Sequence, residues 1–208
     1  DMLKDPAFPE KELEVVVESN RQQFLVNSTR VEVIARKQLH RSLFGEQHPF
    51  GRFAQASDYD RITPDVLREF YRKYYHSGNC SVYVSGKVTP EIIRCIETNL
   101  GDTPWGEIRQ MPLLELIAPQ QTTEKHVFVE KADALQSSLK MGGFMMDRNH
   151  PDFLKARVMV TLFGGYFGSR LMSNIREDKG YTYGIGAGIV NCPGSGVLAI
   201  TTEADNQY

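Results

Sequence analysis

Two side chains near the C-terminal end of the chain, Arg176 and Tyr183, have the chemistry and the spacing of a carbonyl-binding pair. They lie in the stretch GGYFGSRLMSNIREDKGYTYGIGAG, residues 164–188, where a glycine-rich turn precedes a predicted helix that carries Arg176. Gly180 is expected to end that helix, because glycine readily adopts the left-handed conformation that follows many helix C-termini. Tyr183 then enters an alternating segment that predicts a strand. A tight reversal at Gly180 can bring the guanidinium and the phenol to one carbonyl oxygen, to which both can donate hydrogen bonds.

The same residues resemble the second-lobe signature of the pitrilysin or insulinase type of zinc metallopeptidases, peptidase family M16, which also includes mitochondrial processing peptidase and the cytochrome bc1 core proteins. GGYFGSRL followed by IREDKGYTYGIGA carries the resemblance. In that family an Arg and a Tyr in this spacing belong to the lobe without zinc and close over the peptide in the zinc lobe. The resemblance implies this role for Arg176 and Tyr183. It also implies that the chain is of the non-zinc, Arg-Tyr-bearing type. The residues that it implies for substrate binding lie in the glycine-rich turn: Gly164, Gly165, Phe167 and Ser169.

A structural interpretation of the pair stands beside the functional one. Arg176 alone would cap a helix C-terminus, and Tyr183 alone would fill a half-buried strand. The glycine turn, the SRL triplet, the RE-x-KG run and the tyrosine occur together in register. Their joint occurrence favours the functional interpretation.

Composition excludes several classes of function. The 208 residues are 41% hydrophobic and 24% charged, which are ordinary values for a globular protein. A net charge of −2 gives no basic excess with which to bind nucleic acid. No apolar run approaches the ~20 residues that span a bilayer, so we expect a soluble protein, with both the cytoplasm and the periplasm left open as its compartment. Three cysteines without CxxC spacing (Cys80, Cys95 and Cys192) are interpreted as small, buried hydrophobic residues.

Helical and strand patterns alternate along the chain and predict an α+β fold. Helices are predicted over 10–44 with a break near Asn27-Ser28, from Thr63-Pro64, over 89–100, over 153–163 and before Gly180; strands are predicted over 80–86, 126–131, 136–146, 183–190 and 196–203. In the helix over 153–163, we expect Leu154, Val158, Leu162 and Phe163 to be buried.

The resemblance covers nearly the whole chain, because HPFGR and ITPDVLREFYRKYYHSGNCSVYVSGKV are similar to the closing part of one M16 lobe. It implies lobes of the LuxS/MPP-like metallohydrolase fold, in which antiparallel-rich sheets are backed by helices. The chain would contain two such lobes, each incomplete, joined by a linker. Residues 1–100 would be the C-terminal part of a first lobe and 101–123 a Pro- and Gly-rich linker. Residues 124–208 would be the N-terminal part of a second lobe that carries the Arg-Tyr motif. The chain would then span the end of one lobe and the start of the next, as a piece of a longer protein would.

The sequence offers no recognisable zinc site. The family supplies two histidines and a general-base glutamate from an HxxEH helix, and a further glutamate from a later helix. The histidines here have no such spacing and are interpreted as surface or turn residues: His40, His48, His76, His126 and His150. Aligning the later helix on Val15-Val16-Val17 matches the first glutamate to Glu12 and places Ser19 at the metal-binding position. Glu18 is one residue away from that position, so its side chain would point about 100° away from it around the helix axis.

Three functions follow as expectations. In the first, the chain is a zinc-less, non-catalytic M16 protein or subunit, inactive alone, that binds and positions a peptide for a zinc-bearing lobe, a partner subunit or a second copy. It then holds no cofactor itself, and zinc belongs to the partner lobe or to an upstream segment. In the second, it is a fragment of a complete zinc metalloendopeptidase with HxxEH upstream. In the third, it is a structural or peptide-binding subunit without a proteolytic role.

Overall fold

The structure is a computed structural model that describes residues 3–108 and 117–208. The described helices are α1 (Glu10–Ser28), α2 (Val31–Phe44), α3 (Pro64–Tyr74), α4 (Pro90–Ile96) and α5 (Phe153–Val160). Short 3-10 turns occupy Ala56–Arg61 and Ser77–Asn79, and wider π-helical turns occupy Glu97–Gly101, Thr161–Gly165 and Met172–Asp178. The described strands are β1 (Gln136–Met145), β2 (Ile185–Cys192) and β3 (Ser195–Asp205).

The chain divides into two compact units. Of the described residues, 3–24 and 55–108 form the first unit, and 25–54 and 117–208 form the second. The assignment of 1–100, 101–123 and 124–208 to a lobe, a linker and a second lobe stays a prediction. Within that predicted linker, residues 109–116 lie outside the described residues.

Local chemistry sets the helix boundaries of both units. The predicted break near Asn27-Ser28 is confirmed, since α1 ends at Ser28 and α2 begins at Val31. There the Ser28 and Thr29 hydroxyls donate to the carbonyl oxygens of Leu25 and Val26 (2.8 and 2.9 Å), in competition with the helical backbone bonds.

The start of α3 is also as predicted. The Thr63 side chain accepts a hydrogen bond from the Val66 N–H (3.2 Å), and Pro64 occupies the first helical position. Proline is favoured there because its missing N–H would have no helical partner.

The described part of the first unit is helical, which corrects the expectation of a sheet in each half of the chain. Residues 80–86, predicted as a strand, join no ladder, and Tyr83 is 92% exposed. Residues 126–131 of the second unit likewise form no strand. A strand requires hydrogen bonds to a neighbouring strand, and none of the described residues pairs with either segment. Alternating hydrophobicity alone therefore predicted these two strands wrongly.

The second unit contains a three-stranded antiparallel sheet in the order β1-β3-β2. In its register, Met141 of β1 lies opposite Ile200 of β3, and Ile185 of β2 lies opposite Thr202. The C-terminal end of α2 packs on this sheet. The core of the contact consists of Leu43, Phe44, Cys192 and Val197.

The helix predicted over 153–163 is α5 followed by the π-helical turn Thr161–Gly165, and its buried face differs from the predicted one. Leu154, Val158 and Leu162 are exposed and Phe163 is half-buried, whereas Phe153 and Val160 are buried. Helical spacing identifies the residues that share a face, but packing against the rest of the unit decides which face turns inward.

The expectation that all three cysteines are buried requires correction. Cys80 and Cys95 are exposed, and Cys192 alone of the three cysteines is buried. Burial raises the pKa of the Cys192 thiol, because it disfavours the thiolate. Within residues 3–108 and 117–208, no helix is both long and apolar enough to cross a membrane.

Candidate functional site

The reversal between Arg176 and Tyr183 is built by backbone hydrogen bonds around Gly180. The Gly180 N–H donates to the Arg176 carbonyl oxygen, and the Tyr181 N–H donates to the Ile175 carbonyl oxygen, both at 3.1 Å. Gly180 has φ 67°, in the left-handed region that a side chain would disfavour. The prediction that Gly180 ends the helix is therefore confirmed. The chain turns directly from the helical end that carries Arg176 toward Tyr183.

The Arg176 guanidinium lies over an aromatic ring. Its carbon atom Cζ is 4.5 Å from the centroid of the Phe167 ring, a cation–π contact. Nη1 lies 3.2 Å from Oε1 of Glu177, close enough for an ion pair. This nitrogen is buried and makes no aligned hydrogen bond with any described residue. Because the Arg176 side chain is 30% exposed as a whole, part of its donor fork faces solvent.

Tyr183 lies outside the core of its unit. It is 91% exposed, so its phenol faces solvent. This position differs from the half-buried strand position of the structural interpretation, and β2 begins only at Ile185. The approach of Arg176 and Tyr183 to one carbonyl oxygen stays a prediction.

A hydroxyl network holds the backbone on both sides of Tyr183. Oγ1 of Thr182 lies 2.5 Å from the Glu203 carbonyl oxygen and accepts from the Gly184 N–H at 3.1 Å. Oγ1 of Thr202 lies 2.9 Å both from Oγ1 of Thr182 and from the Gly184 carbonyl oxygen. Sequence reasoning missed Thr182 and Thr202. The available signal was the hydroxyl of Thr182 between Tyr181 and Tyr183. Because an alternating strand favours a β-branched residue at any position, this threonine did not stand out.

The glycine-rich turn combines exposed and buried residues. Phe167 is exposed, and Gly165 is exposed beside Thr161. Gly164 is buried, and a Cβ there would come within 2.6 Å of the Ala187 Cβ. Only a glycine lets this turn approach β2 so closely. Substrate contact through Gly164, Gly165 and Phe167 stays a prediction.

Ser169 is completely buried within the turn. Its N–H donates to the Tyr166 carbonyl oxygen (3.0 Å), and its carbonyl oxygen accepts from the Ser173 N–H (2.9 Å). Its Oγ has no hydrogen-bond partner among the described residues. Direct contact of Ser169 with a peptide would require the turn to open, and that assignment also stays a prediction.

An open groove of about 430 Å³ runs beside the helix that carries Arg176. Its lining includes one cationic and one anionic side chain, Arg170 and Asp178, together with Phe163, Leu171, Ser173 and Asn174. Arg170 is exposed and belongs to the same helical segment as Arg176. It therefore provides a matched control for substitutions of Arg176.

The side chains of the described residues do not fit a zinc site. No group of three or more His, Cys, Asp or Glu residues in the described part of the chain could hold a metal ion. Ser19 lies exposed on α1, and the nearby Glu18 carboxylate accepts a hydrogen bond from the Gln22 amide (2.6 Å). Of the five histidines interpreted as surface or turn residues, His48 lies in a turn and His76 directly precedes the Ser77–Asn79 turn, and both side chains are buried rather than on the surface. His48 stacks on Phe44, with ring centroids 4.8 Å apart.

Comparisons with known proteins point to one family. Residues 61–208 match the family described as Peptidase M16 inactive domain. The chain is 25% identical over 189 residues to the non-peptidase homolog YmxG of Helicobacter pylori, covering 89% of this chain and 42% of that protein. It is 26% identical over 136 residues to the uncharacterized zinc protease YmxG of Bacillus subtilis, covering 65% of this chain and 32% of that protein. The chain thus spans less than half the length of these relatives.

A solved structure shows the same fold. The peptidase M16 inactive domain from Pseudomonas fluorescens superposes with a TM-score of 0.81 at 24% identity, covering 98% of this chain and 49% of that chain. The resemblance inferred from residues 164–188 is therefore confirmed. Since the family match includes most of the chain and the whole Arg176–Tyr183 segment, this protein belongs to the peptidase M16 inactive-domain family.

Proposed function

We propose that this chain binds a peptide and positions it for hydrolysis by a zinc-bearing M16 lobe or subunit. The observation that carries the proposal is the arrangement around Gly180. One backbone reversal joins a partly exposed guanidinium to an exposed phenol, and neither group is in the core of its unit. Both groups donate hydrogen bonds, and both suit a carbonyl oxygen on which negative charge develops.

Tyr183 supplies a neutral O–H donor in this proposal. A phenol in the core would pair with the protein itself, whereas a 91% exposed phenol is free to meet a ligand. Its ring also offers an apolar face to a peptide side chain. The donor acts most strongly once a bound peptide and the opposing lobe exclude water from it, because electrostatic interactions strengthen as the local dielectric constant falls.

Arg176 supplies a permanent cation with a planar fork of donors. The Phe167 ring and the Glu177 carboxylate lie at 4.5 and 3.2 Å and hold the guanidinium in place. A fork held in advance loses less entropy when it binds a substrate backbone. Arg176 is therefore expected to contribute to both peptide binding and turnover.

The chain supplies donors, and a partner supplies the metal. Zinc in the partner lobe would lower the pKa of its bound water and so provide the nucleophile. The residues of this chain would orient the peptide carbonyl and stabilise its developing charge. The partner is a zinc-bearing M16 lobe, a separate subunit or a second copy of the chain.

We further propose that the chain consists of two incomplete M16 lobes. Residues 1–100 would end a first lobe, and residues 124–208 would begin a second that carries the Arg-Tyr pair. The Pro- and Gly-rich residues 101–123 would join them. The chain covers less than half of each relative's length, which agrees with a piece that spans parts of two lobes.

Two other functions each have support from a relative. The name of the Helicobacter pylori relative, a non-peptidase homolog, favours a structural or peptide-binding subunit without a proteolytic role. The name of the Bacillus subtilis relative, a zinc protease, favours a complete peptidase with HxxEH upstream of this chain. The full reading frame tests the second directly, and the cleavage assay described next tests the first.

Co-expression with a neighbouring zinc-bearing M16 subunit tests the proposal. The assembled complex is assayed with quenched fluorescent peptides. Tyr183→Phe should lower kcat about 10²–10³-fold, the usual cost of one transition-state donor, with little change in fold. Arg176→Ala should raise KM and lower kcat together.

The chain offers a matched control for each variant. Tyr83 is 92% exposed, so Tyr83→Phe removes an equally exposed hydroxyl from the other unit. Arg170→Ala removes an exposed cation from the same helical segment as Arg176. Both controls should cleave at the wild-type rate. If Tyr183→Phe and Arg176→Ala also do so, the pair is structural and the proposal fails.

A further inference from the structure

We propose that Thr182 and Thr202 are positioning residues for Tyr183, a hydroxyl clamp that fixes the direction in which the exposed phenol projects. This inference rests on the proposed function of Tyr183 and adds to it two residues other than Arg176 and Tyr183. The evidence is the network that joins the Tyr183 loop to β3.

The protons of the clamp can be assigned from its distances. Each threonine hydroxyl has one proton to donate and two lone pairs with which to accept. The contact between Oγ1 of Thr182 and the Glu203 carbonyl oxygen is the shortest, at 2.5 Å, so the Thr182 hydroxyl is assigned as the donor to that oxygen. Thr202 can then donate to the Gly184 carbonyl oxygen at 2.9 Å, while Thr182 accepts from the Gly184 N–H at 3.1 Å. Every donor in the network then has a partner.

The clamp holds the residues immediately before and after Tyr183. Thr182 is bonded to β3 through Glu203, and both backbone groups of Gly184 are bonded to threonine hydroxyls. Tyr183 itself is 91% exposed and gains little orientation from packing. Its Cα–Cβ direction therefore depends on these two anchored neighbours.

The loop needs such an anchor because it is flanked by two glycines, Gly180 and Gly184. Glycine has the largest backbone freedom of any residue, so an unanchored loop of this composition would sample many directions for Tyr183. A donor acts on a reacting carbonyl only when its geometry is set in advance. A displacement of about 1 Å can cost 10²-fold in rate.

A merely structural role for the threonines predicts different behaviour from a positioning role. Loss of stability would lower the active fraction of any variant, whether or not it retains the Tyr183 hydroxyl. Loss of positioning would matter only while that hydroxyl is present. Comparison in the Tyr183→Phe background therefore separates the two roles, as in a double-mutant cycle.

The experiment uses the complex with the zinc-bearing subunit and quenched fluorescent peptides. Thr182→Val replaces the hydroxyl by a methyl group of similar size, and Thr182→Ser retains the hydroxyl. We expect Thr182→Val to lower kcat about 10- to 100-fold with KM changed less than about twofold, and Thr182→Ser to restore most of the rate. In the Tyr183→Phe background, Thr182→Val should lower kcat no further.

A second variant and a second readout keep the test decisive if Thr182→Val folds poorly. Thr202→Val should reproduce the fall in kcat. Thr201→Val is the control, because Thr201 precedes it on β3 and points to the opposite face of the sheet. Amide hydrogen exchange of the chain should show the Gly184 N–H exchanging about fivefold faster or more in Thr182→Val, since its acceptor is gone.

The outcomes distinguish this inference from the proposed function. If Tyr183→Phe lowers turnover but neither Thr182→Val nor Thr202→Val does, the clamp is wrong and the proposed function stands. An equal loss from Thr182→Val in both Tyr183 backgrounds also overturns it, because the threonines are then structural. If Tyr183→Phe cleaves at the wild-type rate, the proposed function itself fails and the clamp has no reaction to serve.

Discussion

The Arg176 guanidinium carbon lies 4.5 Å from the centroid of the Phe167 ring, so the glycine-rich turn and the helix end of the Arg-Tyr motif are in direct contact. The guanidinium lies over the ring, and the hydrogen-bond donors of the fork lie in the guanidinium plane. Phe167 is itself exposed. The contact therefore orients the Arg176 fork at the surface.

Phe167→Leu should weaken the contribution of Arg176 to peptide binding. Leucine retains apolar bulk but has no ring face, and an exposed cation–π contact contributes about 0.5–1 kcal/mol. We expect KM for quenched fluorescent peptides to rise about two- to fivefold in the assembled complex, and Phe167→Tyr to behave as the wild type. Phe128→Leu, at another exposed phenylalanine of the same unit, is the control. Equal KM values for Phe167→Leu and the wild type would show that the ring does not orient Arg176 for binding.

The Lys140–Glu203 ion pair should make the stability of the second unit sensitive to acid. Nζ of Lys140 donates to the Glu203 carboxylate at 2.8 Å, and Oγ of Ser138 donates to the same oxygen at 3.0 Å. The hydrogen bond from Lys140 is the main cause that lowers the pKa of Glu203 below its ordinary value of 4.5. The resulting stability is complete above pH 4.5 and is lost as the pH falls from there through the lower folded-state pKa.

Urea unfolding as a function of pH measures this contribution. The Glu203 side chain is 41% exposed, so solvent screening limits the pair to about 1 kcal/mol or less. Glu203→Gln and Lys140→Met should each flatten part of the decline in unfolding free energy below pH 4.5. A decline identical to that of the wild type in both variants would contradict the role assigned to the pair.

The three cysteines should differ in reactivity with a thiol-alkylating reagent. Cys80 and Cys95 are exposed, whereas Cys192 is buried in the contact between α2 and the sheet. Burial raises the pKa of the Cys192 thiol, so less of the reactive thiolate is present at a given pH. Mass spectrometry after iodoacetamide treatment at about pH 8 should show rapid addition at Cys80 and Cys95. Modification of Cys192 should require urea, and three equal rates in the folded chain would contradict this placement.

Local sequence chemistry predicted the parts of the fold that depend on nearby residues. Thr63 with Pro64 predicted the start of α3, and Gly180 predicted the end of the helix that carries Arg176. Each of these boundaries depends on groups within a few residues of the chain.

The features that the sequence predicted wrongly or missed depend on distant residues. Residues 80–86 alternate as a strand does, but a strand also needs a neighbour to pair with, and a pattern cannot supply one. The spacing of Leu154 and Val158 predicted a shared face without revealing that it turns outward. Thr182 was missed because its partners, Thr202 and Glu203, lie about twenty residues further along the chain.

The last prediction concerns the metal, and it follows from the donor set of this chain. A protein zinc site needs three or four nitrogen, sulfur or carboxylate ligands at tetrahedral positions. Within the described residues no group of histidine, cysteine and acidic side chains has such an arrangement, and the alignment on Val15-Val16-Val17 would place Ser19 at the family's later-helix glutamate. A serine hydroxyl is protonated at neutral pH and does not replace a carboxylate ligand. Elemental analysis of the chain, purified alone and dialysed, should therefore give far less than one zinc per chain. In the complex with the zinc-bearing subunit, it should give one zinc for each partner. About one tightly held zinc on the isolated chain would overturn the division of labour proposed above, because the chain would then carry a metal site of its own.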